Sequence, residues 1–109
     1  MTNVIYRLNC NDCDKSYIGQ TKRHLRIRVN EHKNDVKKHE SMHSVVSTHR
    51  LNNNHEFDFS SPMVLHNEKY YKKRDISEMF FIKKYKNNIN LQKDTERLPD
   101  VYNGIIDLT

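Results

Sequence analysis

Residues 4–21 read VIYRLNCNDCDKSYIGQT, and the two cysteines of the 109-residue chain, Cys10 and Cys13, both stand in the polar middle of this stretch. The flanking segments, 4–8 (VIYRL) and 16–19 (SYIG), have the length and β-branched, aromatic content of short strands. The cysteine segment is therefore predicted to be the loop of a hairpin. Alternation along a strand divides Tyr6 from Ile5 and Tyr17 from Ile18. The two phenols can then share one face while the isoleucines fill the core.

Cys10-x2-Cys13 is a common spacing for two thiolates that grip one Zn²⁺. Tetrahedral closure needs two further ligands. His49-x5-His55 offers them, and His39 and His43, four apart and so on one helix face, are a rival pair. A redox pair would be expected in a βαβ setting, which this sequence lacks. Idle thiols are normally buried, and NCNDCD is not an apolar setting. A structural zinc is the favoured expectation.

Past the hairpin, Thr21 is a candidate N-cap. Leu25, Val29, His32 and Val36 follow helical spacing, which predicts a helix over 22–38. A shorter helix is expected over 44–51, ending in Asn52-Asn53-Asn54. Residues 57–66 (FDFSSPMVLH) read as a third strand, with Pro62 arguing for an edge or a bulge. A long helix follows over 68–85, its apolar face supplied by Ile76, Met79, Phe80 and Ile82. Pro99 and Gly104 mark the 87–109 tail as irregular. The expected fold is α+β, in the order β-β-α-α-β-α: one small domain over 1–109, with a three-stranded antiparallel sheet flanked by helices and a core over 4–90.

Apolar residues make up only 35% of the chain and there is no Trp. A core this lean gains from a metal staple. The formal net charge is +5. Much of it is local: residues 21–50 carry eight Lys or Arg against three acids. A solvated helix face is the plain account of such a run, and a phosphate-bearing partner the functional one. Lys22, Arg23, Arg26, Lys33 and Lys37 are the candidate contacts to DNA backbone. No segment is long and apolar enough to span a membrane, and no signal peptide is apparent. The cysteine usage suits an intracellular protein.

Hydrolysis of a phosphodiester needs a deprotonated water, cationic support for the phosphate and stabilisation of the leaving oxygen. Arg28 and His32 stand i, i+4 on the first predicted helix and share a face. Glu78 stands four residues after Arg74 within RDISEMFFIKKY. A salt bridge to Arg74 is its plain account; a cleft-lining acid that holds a divalent ion is the functional one. Singly, Tyr6 and Tyr17 are ordinary core phenols, Arg28 a solvated cation and His32 a core or surface histidine.

The ordered set is more specific. VIY, then YIG, then QTKRHLRIRVNEH and a later helical glutamate resemble the GIY-YIG nuclease family over residues 4–90, with Val4 where that family often has Gly. The resemblance implies catalytic roles for Tyr6, Tyr17, Arg28 and His32, a Mg²⁺- or Mn²⁺-binding role for Glu78, and a role for a late asparagine, assigned to Asn90 with Asn87 and Asn88 close by. The cysteine pair between the tyrosines resembles the endonuclease domain of Penelope-like retroelements, which carries an inserted Cys-Cys-His-His motif. That likeness favours His49 and His55 over His39 and His43. It implies a domain fused to a reverse transcriptase, nicking chromosomal DNA in the nucleus to leave a 5′ phosphate and a 3′ hydroxyl. In this expectation Tyr6 helps deprotonate the water, with Arg28 and the ion lowering the phenol pKa from near 10. Alternatives are a structure-specific repair or recombination nuclease, a zinc-stabilised nucleic-acid binder without turnover, and a basic zinc-bound protein-interaction domain.

Overall fold

A computed structural model describes residues 1–37 and 44–90. Two strands, β1 (Val4–Asn9) and β2 (Ser16–Thr21), form the expected hairpin. Helix α1 (Leu25–Asn34) follows, continued by a 3-10 turn at Asp35–Lys37. Then come α2 (Val45–Asn53), β3 (Met63–Asn67) and α3 (Tyr71–Lys84). The sheet is antiparallel with β1 in the centre, in the order β2-β1-β3. The fold is thus a small α+β unit with three strands and three helices.

Strand alternation sorts the core into two layers. Val4, Tyr6 and Leu8 face Leu25 and Val29 of α1, Val46 of α2 and Phe57. Ile5 and Ile18 face the other way, onto Ile82 of α3 with Phe81 and Tyr85 beside it. The sheet is therefore covered on both faces, and the two tyrosines share the α1 side. Arg7 points to the α3 side, its guanidinium 4.7 Å from the centre of the Tyr85 ring.

Several boundaries differ from the sequence expectation. The first helix begins at Leu25, not at residue 22, and Thr21 is not its N-cap. Thr21 closes β2, and its hydroxyl accepts from the Arg23 amide at 3.1 Å. His24 takes the N-cap position with no side-chain bond, and the Leu25 amide donates to the Met1 carbonyl. A ladder that pairs Val4 with Thr21 holds this residue in the sheet, which local helix signals do not report.

The third strand starts at Met63 instead of residue 57. Phe57 makes only an isolated bridge, to Cys10. Asp58 accepts from Ser60 and Ser61 and turns the chain between the two. Pro62 lies just ahead of β3, an edge strand whose register shifts at Ile5/Tyr6, in line with an edge or bulge. The last helix starts at Tyr71, later than 68. Its buried residues are Arg74, Met79 and Ile82, while Ile76 and Phe80 line a partly open hollow.

Candidate active site and metal centre

Why the second motif ends in glycine is visible in the hairpin. Tyr6 pairs across the ladder with Gly19, and Leu8 with Tyr17. The Tyr6 ring folds over Gly19, where a Cβ would stand 2.6 Å from the ring's Cζ and hydroxyl and 2.8 Å from Tyr17. A side chain there would expel one phenol. The glycine is needed for room, not for its backbone angles. The two tyrosine rings lie 6.3 Å apart, centre to centre.

Helix α1 brings the next groups. Leu25 and Val29 bury one stripe, and His32 continues it into the core, 1% exposed. Its Nε2 lies 2.8 Å from the Tyr6 hydroxyl, and its ring is 5.2 Å from that of Tyr17. Arg28, one turn earlier, acts on the Tyr6 hydroxyl with its charge. Glu31 holds Arg28 from the other side at 3.1 Å. Burial pushes the His32 imidazole down to about 4, with the Arg28 charge adding to the effect. The ring is thus neutral near pH 7. A neutral ring with its proton on Nδ1 can accept the Tyr6 O–H at Nε2.

Arg28 lowers the Tyr6 pKa as anticipated, but it does not prevail. Burial, the largest effect, and the neighbouring Tyr17 raise the phenol well above its ordinary value. At rest the pair is a neutral phenol on a neutral imidazole.

Glu78 comes from the far layer. Arg74, Glu78 and Ile82 succeed one another at i, i+4, i+8 on α3 and so share the stripe that packs toward β2. Arg74 bonds Gln20 at 2.8 Å, and Ile82 packs with Ile18. The Glu78 carboxylate is half-buried between these turns, and its charge is felt at Tyr6, whose pKa it raises. Tyr6, Tyr17, His32 and Arg28 thus gather from both strands of the hairpin and α1, and Glu78 of α3 acts on Tyr6 through its charge.

Asn90 takes a different place. Its amide accepts from the Ile18 N–H at 3.0 Å and donates to the Ile18 carbonyl at 2.8 Å. It mimics a neighbouring strand on the open edge of β2. Asn88 caps α3 by donating to the carbonyls of Ile82 and Tyr85, and Asn87 bonds Asp14. The side chains of Asn87 and Asn90 fasten the end of the described chain to the hairpin, and that of Asn88 fastens it to the end of α3.

Of the cationic residues, Lys22, Arg23, Arg26 and Lys33 are exposed around α1, and Lys37 closes the 3-10 turn. Arg23 is also bound to Glu31, at 2.6 and 2.7 Å. Sequence reading passed over Glu31, which gathers Arg23 and Arg28. The hydrogen bonds from Arg23 hold its carboxyl down near 2.

Cys10, Cys13, His49 and His55 converge, their ligand atoms all within 4.8 Å of one another, as a group that could bind zinc. Cys10 Sγ lies 3.6 Å from His55 Nδ1, Cys13 Sγ 3.5 Å from His49 Nε2, and the two nitrogens are 3.3 Å apart. Zinc–ligand distances of about 2.3 Å to sulfur and 2.0 Å to nitrogen give tetrahedral edges of about 3.5 Å (S···N) and 3.3 Å (N···N). These three edges match those of a tetrahedral site. Burial lowers the His49 pKa, favouring the neutral ring that ligation needs. His39 and His43 lie outside the described residues.

Local rules explain how the ligands meet. Asn54, with φ of 54°, ends α2 in the left-handed conformation that Asn tolerates, and turns His55 back beside His49. The Asn11 amide donates to the Glu56 carbonyl and the Glu56 amide to Asp12, closing the loop over the knuckle. Arg50, next to His49, pairs with Glu56, next to His55, at 2.7 Å. The same guanidinium donates to the carbonyls of Lys33 at 3.0 Å and His32 at 3.4 Å. The metal group and the Tyr6–His32 cluster are therefore mechanically joined. No helix among the described residues is long and apolar enough to cross a membrane. No family profile, no curated protein and no solved structure matches this chain.

Proposed function

We propose that this chain is a metal-dependent DNA endonuclease domain of the GIY-YIG type, with a structural zinc in the hairpin and one Mg²⁺ or Mn²⁺ on Glu78. The carrying observation is the 2.8 Å contact of Tyr6 with His32, set among Tyr17, Arg28 and the charge of Glu78. A core needs none of this polarity, and a phosphodiester cleavage site has a use for each of these groups. The exposed cations of α1 would meet backbone phosphates, giving binding that weakens steeply with salt.

A divalent ion held by Glu78 would polarise the scissile phosphate and the leaving oxygen. Water attacks phosphorus and the bond to the 3′ oxygen breaks; that oxygen takes a proton from solvent water, leaving a 5′ phosphate and a 3′ hydroxyl. Tyr6 Oη receives a proton from the water as its own passes to His32 Nε2. The neutral imidazole supplies that vacancy. Arg28 braces the charge growing on phosphate, and Tyr17 orients water against it.

The cysteine pair between the tyrosines supports the narrower reading of a retroelement's target-nicking domain, acting in the nucleus beside a reverse transcriptase. Purified zinc-loaded protein with supercoiled plasmid and Mg²⁺ or Mn²⁺ tests the activity. Nicked circles are expected, lost in Glu78→Ala and Arg28→Ala while DNA binding persists. Unchanged nicking by Glu78→Ala would remove the metal role, and none by the wild type with either ion would remove the nuclease.

A further inference from the structure

The first turn of α3 carries a surface that the catalytic cluster does not use. Residues 69–74 read KYYKKR. Tyr71 is 66% exposed, more than any other large apolar side chain among the described residues, and Tyr70 is 58% exposed. A chain this short of apolar residues leaves two adjacent rings in water. Lys69 and Lys73 place their ammonium groups 5.4 and 5.3 Å from the Tyr70 ring centre. The Arg74 guanidinium lies 5.7 Å from that of Tyr71. Lys72 is exposed beside them. Of the nearby acids, Glu68 accepts from the Tyr70 amide and Asp75 accepts from Gln20.

The platform is also stiff. Arg74 is buried and donates to the carbonyls of Glu68 and Lys69, to Asn3 and to Gln20. The residue under the Tyr71 ring is thus pinned to the sheet, and so is the backbone that leads into the patch. A rigid ring in a cationic surround attracts a ligand that is both planar and anionic.

We propose that Tyr71 is a stacking site for an unpaired nucleobase, with Lys69, Lys72 and Lys73 holding the phosphates of that single strand. Its relation to cleavage rests on the nuclease reading; the stacking does not. Tyr71 precedes Glu78 by seven residues, two helical turns, so both lie on one stripe about 10 Å apart. That is about three stacked nucleotides. A strand cut at Glu78 would thus have a frayed base within reach of Tyr71.

The test uses the full zinc-loaded chain without Mg²⁺ or Mn²⁺, so that nothing is cut. The probe is a single-stranded oligothymidylate bearing one 2-aminopurine, beside a duplex of equal length and vesicles of phosphatidylserine. Quenching of 2-aminopurine on binding is expected. Tyr71→Ala should lose the quenching and about tenfold in single-strand affinity, with duplex affinity changed less than about twofold and the melting temperature unchanged. Tyr71→Phe should behave as wild type, because the ring and not the hydroxyl is used. The proposal is overturned if Tyr71→Ala keeps the quenching, if single-strand and duplex affinity fall equally, or if vesicles are bound and the oligonucleotide is not. A wild type that stacks the base yet never nicks plasmid would leave this surface standing and remove the nuclease.

Discussion

The Tyr6 hydroxyl meets His32 Nε2 at 2.8 Å inside the protein, across 26 residues of sequence. Burial moves their pKa values apart, raising the phenol and lowering the imidazole, so both stay neutral over a wider pH range than in solution. Tyr6→Phe removes a single oxygen and leaves Nε2 without its donor. It should abolish nicking and cost about 1–3 kcal/mol of stability, the usual penalty of an orphaned buried acceptor. Plasmid nicking and chemical denaturation measure the two effects.

The His32 pKa near 4 lies below the 6.5 of an unperturbed histidine. Between these values the unfolded chain binds a proton that the folded chain refuses. The His32 contribution is therefore complete above about pH 6.5, declines as pH falls toward 4, and amounts to on the order of 3 kcal/mol. In an NMR titration the His32 ring signals should stay still until the pH is below 5. A midpoint near 6.5 would contradict the buried neutral ring.

Gly19→Ala should disable the site without touching a reacting group. The added methyl carbon would overlap the Tyr6 ring and its hydroxyl at 2.6 Å. A destabilisation of about 1–3 kcal/mol is expected, with loss of nicking in molecules that remain folded. Near-normal rates at a temperature well below melting would mean that the ring is free to move.

Zinc removal should act through folding. Cys10→Ser, or chelation of the wild type, is expected to lower the melting temperature by several degrees, with a single zinc lost by native mass spectrometry. Arg50 links the zinc ligands to the end of α1, so the His32 NMR signals should shift in parallel. A Cys10→Ser protein that melts like the wild type would show that the hairpin needs no staple.

Asn90→Ala separates a structural from a catalytic asparagine. Its two bonds to Ile18 hold the open edge of β2. The variant should lose about 1–2 kcal/mol and keep its nicking rate per folded molecule. Lost nicking with an unchanged melting temperature would instead place Asn90 in the chemistry.

The hairpin, the facing of its tyrosines, the cysteine pair of the metal group and the order of elements were legible in the linear chain. Each depends on short-range periodicity or ligand spacing, which local sequence carries; spacing left two histidine pairs open, and the choice of His49 and His55 rested on the family resemblance. What Thr21, Phe57 and Asn90 do was not legible, because a ladder rung, a bridge to Cys10 and a grip on Ile18 are all made with distant partners. The same holds for protonation. Sequence places Arg28 one turn from His32 and suggests a phenol eased toward ionisation. Burial under α1, a property of the packed molecule alone, raises the Tyr6 pKa by more than that nearby cation lowers it.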